Sequence, residues 1–382
     1  MKPKLIRITT VPLSLEKLLE NQLRFMQQYY SVIAISADEQ RLSKVGQREG
    51  VQTFAVELTR QITPVADLKA LWKLYRFFKK ERPFIVHSHT PKAGTIAMLA
   101  AKLAGVPHRL HTVAGLPLLE ATGKKRQLLN FVEKTTYHCA TAVYPNSHGL
   151  KEIIIKQGFC KPAKLKVLGN GSTNGIDTSH FNPDLLTEKE NDQLRTELGL
   201  SKSDLVFIFV GRLVGDKGIN ELIAAFKTFN QQHPDSKLIL VGEQEKELDP
   251  LLPETCKEIK DNPSILSVGY RSDIRPYLAI SHALVFPSYR EGFPNVVMQA
   301  GAMCLPSIVT DINGCNEIIK DGENGWVIPP KNPDEILAAM LKFVNDKPKI
   351  DNLKINSRKK IVELYEQDVI WKAILAEYNS LK

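Results

Sequence analysis

At 382 residues, with 43% apolar and 24% charged composition, the chain reads as a globular protein too long for one ordinary core, so two domains are expected. No apolar run reaches the roughly 18–20 residues of a membrane span, and the five scattered cysteines contain no C-x-x-C pair, which argues against a disulfide frame or a zinc site. The net charge of +9 is unevenly placed: residues 1–180 hold 27 Lys/Arg against 12 Asp/Glu, and residues 181–382 hold 24 against 30, so the first half is expected to meet something anionic.

The chain opens on Met1-Lys-Pro-Lys-Leu-Ile-Arg-Ile, which enters a strand directly and lacks the apolar core of a signal peptide; a cytoplasmic protein is expected. Strands are predicted at 5–9, 31–36, 51–56, 84–87, 109–113 and 142–145. Helices are predicted near 15–28, 65–81, 93–103, 125–138 and 149–157. Apolar strands alternating with helices predict a parallel, doubly wound sheet. The turn Thr9-Thr-Val-Pro-Leu-Ser-Leu15 has no glycine, so no dinucleotide pyrophosphate can approach its backbone, and nicotinamide or flavin chemistry is not expected.

Phe84-Ile-Val-His-Ser-His-Thr-Pro-Lys-Ala-Gly94 ends a strand and opens a helix. His87 and His89 are expected on opposite faces of the strand, one packed and one reaching its carboxyl end. A hydrogen-bonded core histidine is the plainer reading of His87. Lys92, in the first helical turn, is a candidate for an anionic acceptor, with His89 beside it. At the next strand end, Arg109-Leu-His-Thr-Val-Ala-Gly115 places His111 and Gly115 where a ligand can come close to backbone. The lysine-rich runs 68–82 and 123–134 carry the basic excess. Lys124-Lys-Arg126 ahead of an apolar stretch suits an anionic bilayer surface, with a solvated helix face as the plainer alternative.

A Gly- and Asn-rich stretch, Leu168-Gly-Asn-Gly-Ser-Thr-Asn-Gly175, reads as a linker. A second alternating series follows, with strands at 205–210, 237–241, 265–268, 283–286, 307–310 and 326–328. Helices are expected near 218–232, 274–279, 295–302 and 334–345, then a helical tail over 353–381. In Val210-Gly-Arg-Leu-Val-Gly-Asp-Lys-Gly218, Arg212 and Lys217 leave a strand–loop–helix junction at Gly211 and can meet over one anion. The Walker spacing is missing. Val268-Gly-Tyr-Arg-Ser-Asp273 offers Tyr270 and Arg271 to a nucleobase.

Arg290-Glu-Gly-Phe-Pro-Asn-Val-Val-Met-Gln-Ala300 is the most informative stretch. A Gly-Phe-Pro turn feeding a helix leaves backbone N–H groups at Phe293, Asn295, Val296 and Val297 unpaired, Pro294 having none, so a diphosphate can sit at the positive end of the helix dipole. Glu291 at the rim and Gln299, eight residues later, can hold hydroxyls on either side of the phosphates. That combination suits a nucleotide-sugar. Asp311-Ile-Asn-Gly-Cys-Asn-Glu317 adds a glycine turn and a carboxylate, with capping by Asn313 or Glu317 as the competing reading.

Taken together, Gly211-Arg-Leu…Lys217-Gly, Asn174-Gly-Ile-Asp177…Phe181-x-Pro183, Val268-Gly-Tyr-Arg271, Glu291-Gly-Phe-Pro-Asn-Val and Gly322-Glu-Asn-Gly-Trp-Val-Ile-Pro329 resemble the GT-B glycosyltransferases of family four, the large retaining group. The motifs Val86-His-Ser-His-Thr-Pro-Lys-Ala-Gly94 and His111-Thr-Val-Ala-Gly115 resemble bacterial members that extend lipid-linked polysaccharide repeats, in capsule or O-antigen synthesis. The resemblance implies two Rossmann-like domains facing across a cleft: residues 1–175 for the acceptor, 176–360 for the nucleotide-sugar, and a helix over 361–382 returning to the first domain. It implies that Arg212 and Lys217 hold the donor diphosphate, that Glu291 touches the donor sugar, and that His111 lies beside the reacting sugar.

Two departures stand out. The family places a second glutamate where this chain has Gln299, and glycines where it has Val11-Pro-Leu-Ser14. The expected activity is retaining transfer of a sugar from a nucleotide diphosphate sugar, expected to be a UDP-sugar, to a hydroxyl of a lipid-linked glycan. No cofactor or metal is expected, since no Asp-x-Asp triplet is present; nor is nucleic acid, while peripheral contact with anionic membrane is expected through the basic first domain. Two other readings stay open: a nucleotide-sugar epimerase of the same fold, and a catalytically silent sugar-nucleotide-binding partner, for which Gln299 is the sole encouragement.

Overall fold

The computed structural model describes residues 2–381 apart from 60, 62, 117, 119, 120, 246 and 248, and the backbone alone of 347 and 348. The chain forms two compact units, Met1–Asn174 with Asp368–Lys382, and Gly175–Gln367. The first holds six strands: β1 (Lys4–Ile8), β2 (Ser31–Ser36), β3 (Gln52–Ala55), β4 (Ile85–Ser88), β5 (His108–Val113) and β6 (Ala142–Pro145). They are parallel throughout, in the order β3-β2-β1-β4-β5-β6. The second holds β7 (Leu205–Val210), β8 (Ser236–Val241), β9 (Ile265–Gly269), β10 (Ala283–Phe286), β11 (Ser307–Thr310) and β12 (Gly325–Ile328). These are also parallel, ordered β12-β11-β10-β7-β8-β9.

Each sheet is therefore the same doubly wound arrangement. In each the strand order reverses beside the first strand, between β1 and β4 and between β7 and β10, which is where open α/β sheets bind ligands. The strands were legible because both faces of a parallel sheet are covered. Leu-Val-Phe-Ile-Phe-Val in β7, for example, is buried at its four inner residues.

The helices follow their end signals where these are strong. Pro91–Ala104 starts with proline in its first turn and stops at Gly105 with φ 77°. Where apolar periodicity alone was followed, the boundaries are corrected. The single helix expected over 15–28 is two, Pro12–Leu18 and Gln22–Gln27, separated at Asn21 with φ 62°. The helical tail is broken at Glu366 into Lys347–Tyr365 and Gln367–Ser380. Three further helices of nine or more residues, Glu39–Glu49, Glu188–Glu197 and Pro253–Asp261, and the single turn Cys315–Ile318 were not expected. The three longer ones are mostly polar surface helices whose apolar stripe is too thin to register.

In the first unit an apolar layer covers each face of the sheet. One packs the Pro64–Glu81 and Pro91–Ala104 helices on Ile6, Ile8, Val86 and Val143. The other packs Ile370, Ile374 and Tyr378 of the Gln367–Ser380 helix on Leu5, Ala34, Ile85 and Leu110. The second unit has one core, built around Phe207, Phe209, Phe229, Trp326 and Phe343. All five cysteines are free thiols. Among the described residues no helix is long and apolar enough to cross a membrane.

Candidate active site

In the second unit the expected donor residues leave the carboxyl ends of β7, β9 and β10, and two of them meet. The loop after β7 carries Arg212 and Lys217, and the loop after β10 carries Glu291. Lys217 and Glu291 form an ion pair, each side chain 17% exposed. Glu291 also accepts from the Ser288 hydroxyl at 3.0 Å, and the Lys217 ammonium lies 5.9 Å from the Phe286 ring centroid. Because β7 and β10 flank the reversal in strand order, this pair sits at the second sheet's ligand-binding position.

Arg212 is not directed at a partner shared with Lys217; it pairs with Glu245 and is more than half exposed. Each cation is thus held by its own carboxylate. Gly218 permits the close approach of the two loops. Its φ is 70°, and a Cβ there would stand 2.2 Å from the Pro287 carbonyl oxygen.

Further residues brace this pair: Asp216 and Asp249, which the sequence did not single out, and Asn313 and Glu317 of the Asp311–Glu317 stretch. Asp216 accepts from Arg290 at 2.7 Å, while its carbonyl receives the Tyr289 amide at 2.9 Å and its own amide is held by Asp249 at 2.6 Å. Asn313 donates to the Glu291 carbonyl and, at 3.4 Å, to that of Gly292. Glu317 accepts from the Gly314 amide at 3.3 Å, so of the two capping candidates Glu317 caps and Asn313 fastens the Glu291 loop. Of the two aspartates, only Asp216, next to Lys217 within a Gly-Asp-Lys-Gly turn, had a local signal.

The helix after Glu291 begins at Asn295, as expected. Phe293 and Pro294 are buried at its start, the former against Tyr365 at 5.3 Å between ring centroids. Asn295 is exposed and Val296 partly exposed. Val297 is buried and its amide already leans on the Pro294 carbonyl at 3.2 Å, leaving the amides of Asn295 and Val296 as the better anion donors. Gln299 is partly exposed on the same helix. Tyr270, 63% exposed, leaves the end of β9, and Arg271 lies 5.7 Å from the Tyr277 ring.

In the first unit, His87 and His89 do not face opposite sides. Strand side chains have a period of two, so residues i and i+2 share a face. Their rings lie 4.3 Å apart, on the side covered by the last helix. His87 is a core histidine, bonded to Tyr378 at 2.5 Å and Thr112 at 2.8 Å. His89 accepts from the buried Arg7 guanidinium at 3.0 Å, and its Nδ1 has no partner among the described residues.

His111 lies on the other face, bonded through Nδ1 to Ser88 at 2.8 Å, the residue opposite it in the β4–β5 register. A Cβ on Gly94 would stand 2.4 Å from its ring, so the glycine of the His-Thr-Pro-Lys-Ala-Gly motif is what lets the Pro91–Ala104 helix rest on His111. Burial holds the His111 pKa down at about 4. Lys92 is tied to Asp67 at 2.6 Å and to the Gln61 carbonyl. Around Gly115 a Cβ would meet open space. Of the Lys124–Arg126 run, the two lysines are exposed while Arg126 bonds Asn130 at 2.9 Å and the Leu118 carbonyl at 2.7 Å.

Burial also holds His87 and His89 well below the ordinary histidine range, with the Arg7 charge as second cause. All three pKa values are depressed, so as pH falls below about 6.5 the unfolded chain binds protons that the folded one refuses. Stability is therefore expected to fall on acidification, with a slope of up to about 1.4 kcal/mol per pH unit for each histidine. Denaturant unfolding between pH 7.5 and 5, above the carboxylate range, measures this. A flat profile would mean that the three rings titrate normally.

The model of the glycosyl transferases group 1 family matches residues 190–360, and that of the glycosyl transferase 4-like domain matches residues 24–171. The Staphylococcus aureus capsular polysaccharide biosynthesis glycosyltransferase CapM is 32% identical over 379 residues, covering 99% of this chain and 97% of CapM. An Escherichia coli enzyme named as a UDP-Gal:α-D-GlcNAc-diphosphoundecaprenol α-1,3-galactosyltransferase is 33% identical, over 81% of this chain and 78% of its own. The fold is shared with Anabaena HepE, solved in complex with UDP, at a TM-score of 0.82 and 18% identity over the full length of both chains. The chain therefore belongs to the group 1 glycosyltransferases of family four, and is a hexosyltransferase-type glycosyltransferase with the GT-B fold.

Proposed function

We propose that this glycosyltransferase moves a hexose from a UDP-sugar to a hydroxyl of a lipid-linked glycan, in the assembly of a surface polysaccharide, with retention at the anomeric carbon. The observation that carries the reading is the Lys217–Glu291 pair at the strand-order reversal of the second sheet, beside the start of the Asn295–Ala302 helix. The diphosphoundecaprenol-linked acceptor named for the E. coli relative supports the acceptor class.

In the reaction the bond from the anomeric carbon to the diphosphate breaks, a bond to the acceptor oxygen forms on the same face, and the acceptor proton passes to the departing phosphate. Negative charge grows on the diphosphate as positive charge grows on the sugar. Lys217, Arg212 and the Asn295 and Val296 amides stabilise the first. Glu291 binds sugar hydroxyls once Lys217 turns to phosphate. Gln299 accepts from one ribose hydroxyl and donates to the other; Tyr270 and Arg271 hold the base.

His111, neutral at physiological pH, is the hydrogen-bonding group of the carbohydrate on the first unit, with His89, Lys92 and Gly115 on the acceptor side. The two cations take the part a divalent metal plays elsewhere, so turnover is expected without one. The excess positive charge of the first half suits the anionic inner face of a membrane, where a lipid-linked acceptor resides.

The test is thermal stabilisation by a panel of UDP-, GDP- and ADP-sugars, with and without chelator. A UDP-sugar at 100 times its Kd is expected to stabilise the protein by about 2.7 kcal/mol whether or not chelator is present. No shift with any sugar nucleotide would remove the donor assignment, and a shift abolished by chelator would remove the metal-free one.

A further inference from the structure

The first unit carries an apolar groove that the donor chemistry does not use. It has a volume of about 710 Å3, within the roughly 300–1,000 Å3 of small-molecule sites. Three helices that each run back from beyond a strand's carboxyl end to the amino end of the next strand form its walls. They contribute Leu68 and Leu71 from Pro64–Glu81, Ile96 and Leu99 from Pro91–Ala104, and Leu128 and Val132 from Gly123–Cys139.

Helix register explains the opening. Thr95, fifth in its helix, bonds Thr136, fourteenth in the next, at 2.8 Å. Both helices follow neighbouring strands and run the same way, so the Gly123–Cys139 helix begins about 13 Å before its neighbour. Its first turns overhang the carboxyl edge of the sheet, and the groove lies beneath them.

At the sheet edge are Thr10 and Thr90, bonded to each other at 2.7 Å beside the β1–β4 reversal, and the Lys92–Asp67 pair. The two outer helices carry apolar side chains left in solvent, of which Leu68 and Leu128 line the groove. Val65, Leu68 and Trp72 are 72%, 68% and 58% exposed on one helix, and Leu128 and Phe131 are 46% and 69% exposed on the overhanging one. Their spacings of three, four and seven residues put each set on one stripe. Large apolar residues gathered in solvent mark a binding surface. Exposed Lys69, Lys73, Lys124 and Lys125 lie among them. Glu133, which also lines the groove, is buried, and burial pushes its carboxyl pKa up.

An end with two hydroxyls and a lysine held by one carboxylate, joined to an apolar channel, becomes the complement of an amphiphile with an anionic head and a hydrocarbon chain once the head displaces Asp67 from Lys92. We propose that this groove seats the phosphate-proximal hydrocarbon of a prenyl diphosphate-linked acceptor, with Lys92 released from Asp67 to meet the diphosphate. The proposal rests on the acceptor class assigned above and locates it on named residues.

The probe is farnesyl diphosphate, titrated into the full chain without detergent, beside inorganic diphosphate. Farnesyl diphosphate is expected to bind at least tenfold more tightly, because only it uses the channel. The double variant Leu68→Gln/Leu128→Gln, at exposed positions that folding tolerates, is expected to lose at least tenfold of that affinity while keeping the sugar-nucleotide stabilisation. Lys217→Ala is expected to leave it unchanged, which separates the groove from the donor phosphate site.

Equal binding of the two probes, or an unaffected double variant, would overturn the groove. So would binding to phosphatidylglycerol vesicles, abolished by the same variant, with no binding of farnesyl diphosphate; the face would then serve the bilayer and not the acceptor chain. If sugar nucleotides still stabilise the protein in either case, only the groove falls. If they too fail, the functional reading falls with it.

Discussion

Replacing Lys217 by alanine is expected to lower kcat by about 10²–10³-fold, the loss typical of removing one preorganised group from a developing negative charge. The ammonium is held in place before any ligand arrives: Gly218 brings its loop against Pro287, Asp216 clamps that loop to Arg290 and Tyr289, and Glu291 takes the charge. Little reorganisation is then needed when the diphosphate replaces the carboxylate. The fold has small reason to suffer, because Glu291 keeps its bond from Ser288 and is partly solvated. The melting temperature is expected to move by no more than about 4 °C. Steady-state kinetics with melting on the same preparation decides it. Activity within a few-fold of the parent would take Lys217 out of the phosphate site, and a large loss of stability would make its role structural. Lys217→Arg, which keeps the charge but not the compact ammonium, is expected to recover only part of the rate.

Most of the strands, and with them the two-unit organisation, were legible because the physics that makes them is local: a strand covered on both faces must be apolar along its length; the partly exposed edge strands β3 and β9 are the exceptions. The positions of the proposed donor residues were legible for a related reason. Arg212, Lys217 and Glu291 lie within a few residues of strand ends, and a doubly wound sheet brings those ends together. The pairing of Lys217 with Glu291, 74 residues apart, depends on β10 lying beside β7. That is a fact of sheet order, absent from either motif alone. The bracing by Asn313 needs β11 beside β10 as well, and an asparagine next to a glycine reads equally well as a turn or a cap.

The histidines show a different limit. His87 and His89 were placed on opposite faces, although the period of two already puts them together. What covers that shared face could not be read, because the cover is Tyr378, 291 residues from His87. His111 was found at a strand end, but its burial depends on Gly94 admitting a helix at van der Waals range, and a glycine in a helix has no local signature of the neighbour it admits. The groove escaped notice because its walls come from three helices whose relative register, marked between two of them by the Thr95–Thr136 bond, is a matter of tertiary packing.

Truncation before Asp368 is expected to be the most damaging change to stability. Ile370, Ile374 and Tyr378 are at most 5% exposed in the layer that holds Leu5, Leu19, Leu23 and Tyr30. At about 1.5–3 kcal/mol for each fully buried side chain, their loss costs about 5–9 kcal/mol, against a total of about 5–15 kcal/mol for an ordinary domain. The polar contacts add to this. Arg7, fully buried, donates to Tyr378 at 3.0 Å as well as to His89 and Gln22, none of them a carboxylate. Without the helix its charge is left under an opened core with one acceptor fewer, although burial already lowers its pKa. Asn174 loses the indole N–H of Trp371, and the Tyr144 hydroxyl loses its acceptor Glu377. Calorimetry of the truncated chain is expected to lack the first unit's cooperative transition. Tyr378→Phe, which removes one hydroxyl from the same place, is expected to cost about 1–3 kcal/mol. If the truncated chain instead melts with the parent, the last helix is an appendage to the first unit's core, and the buried Arg7 is sustained by His89 and Gln22 alone.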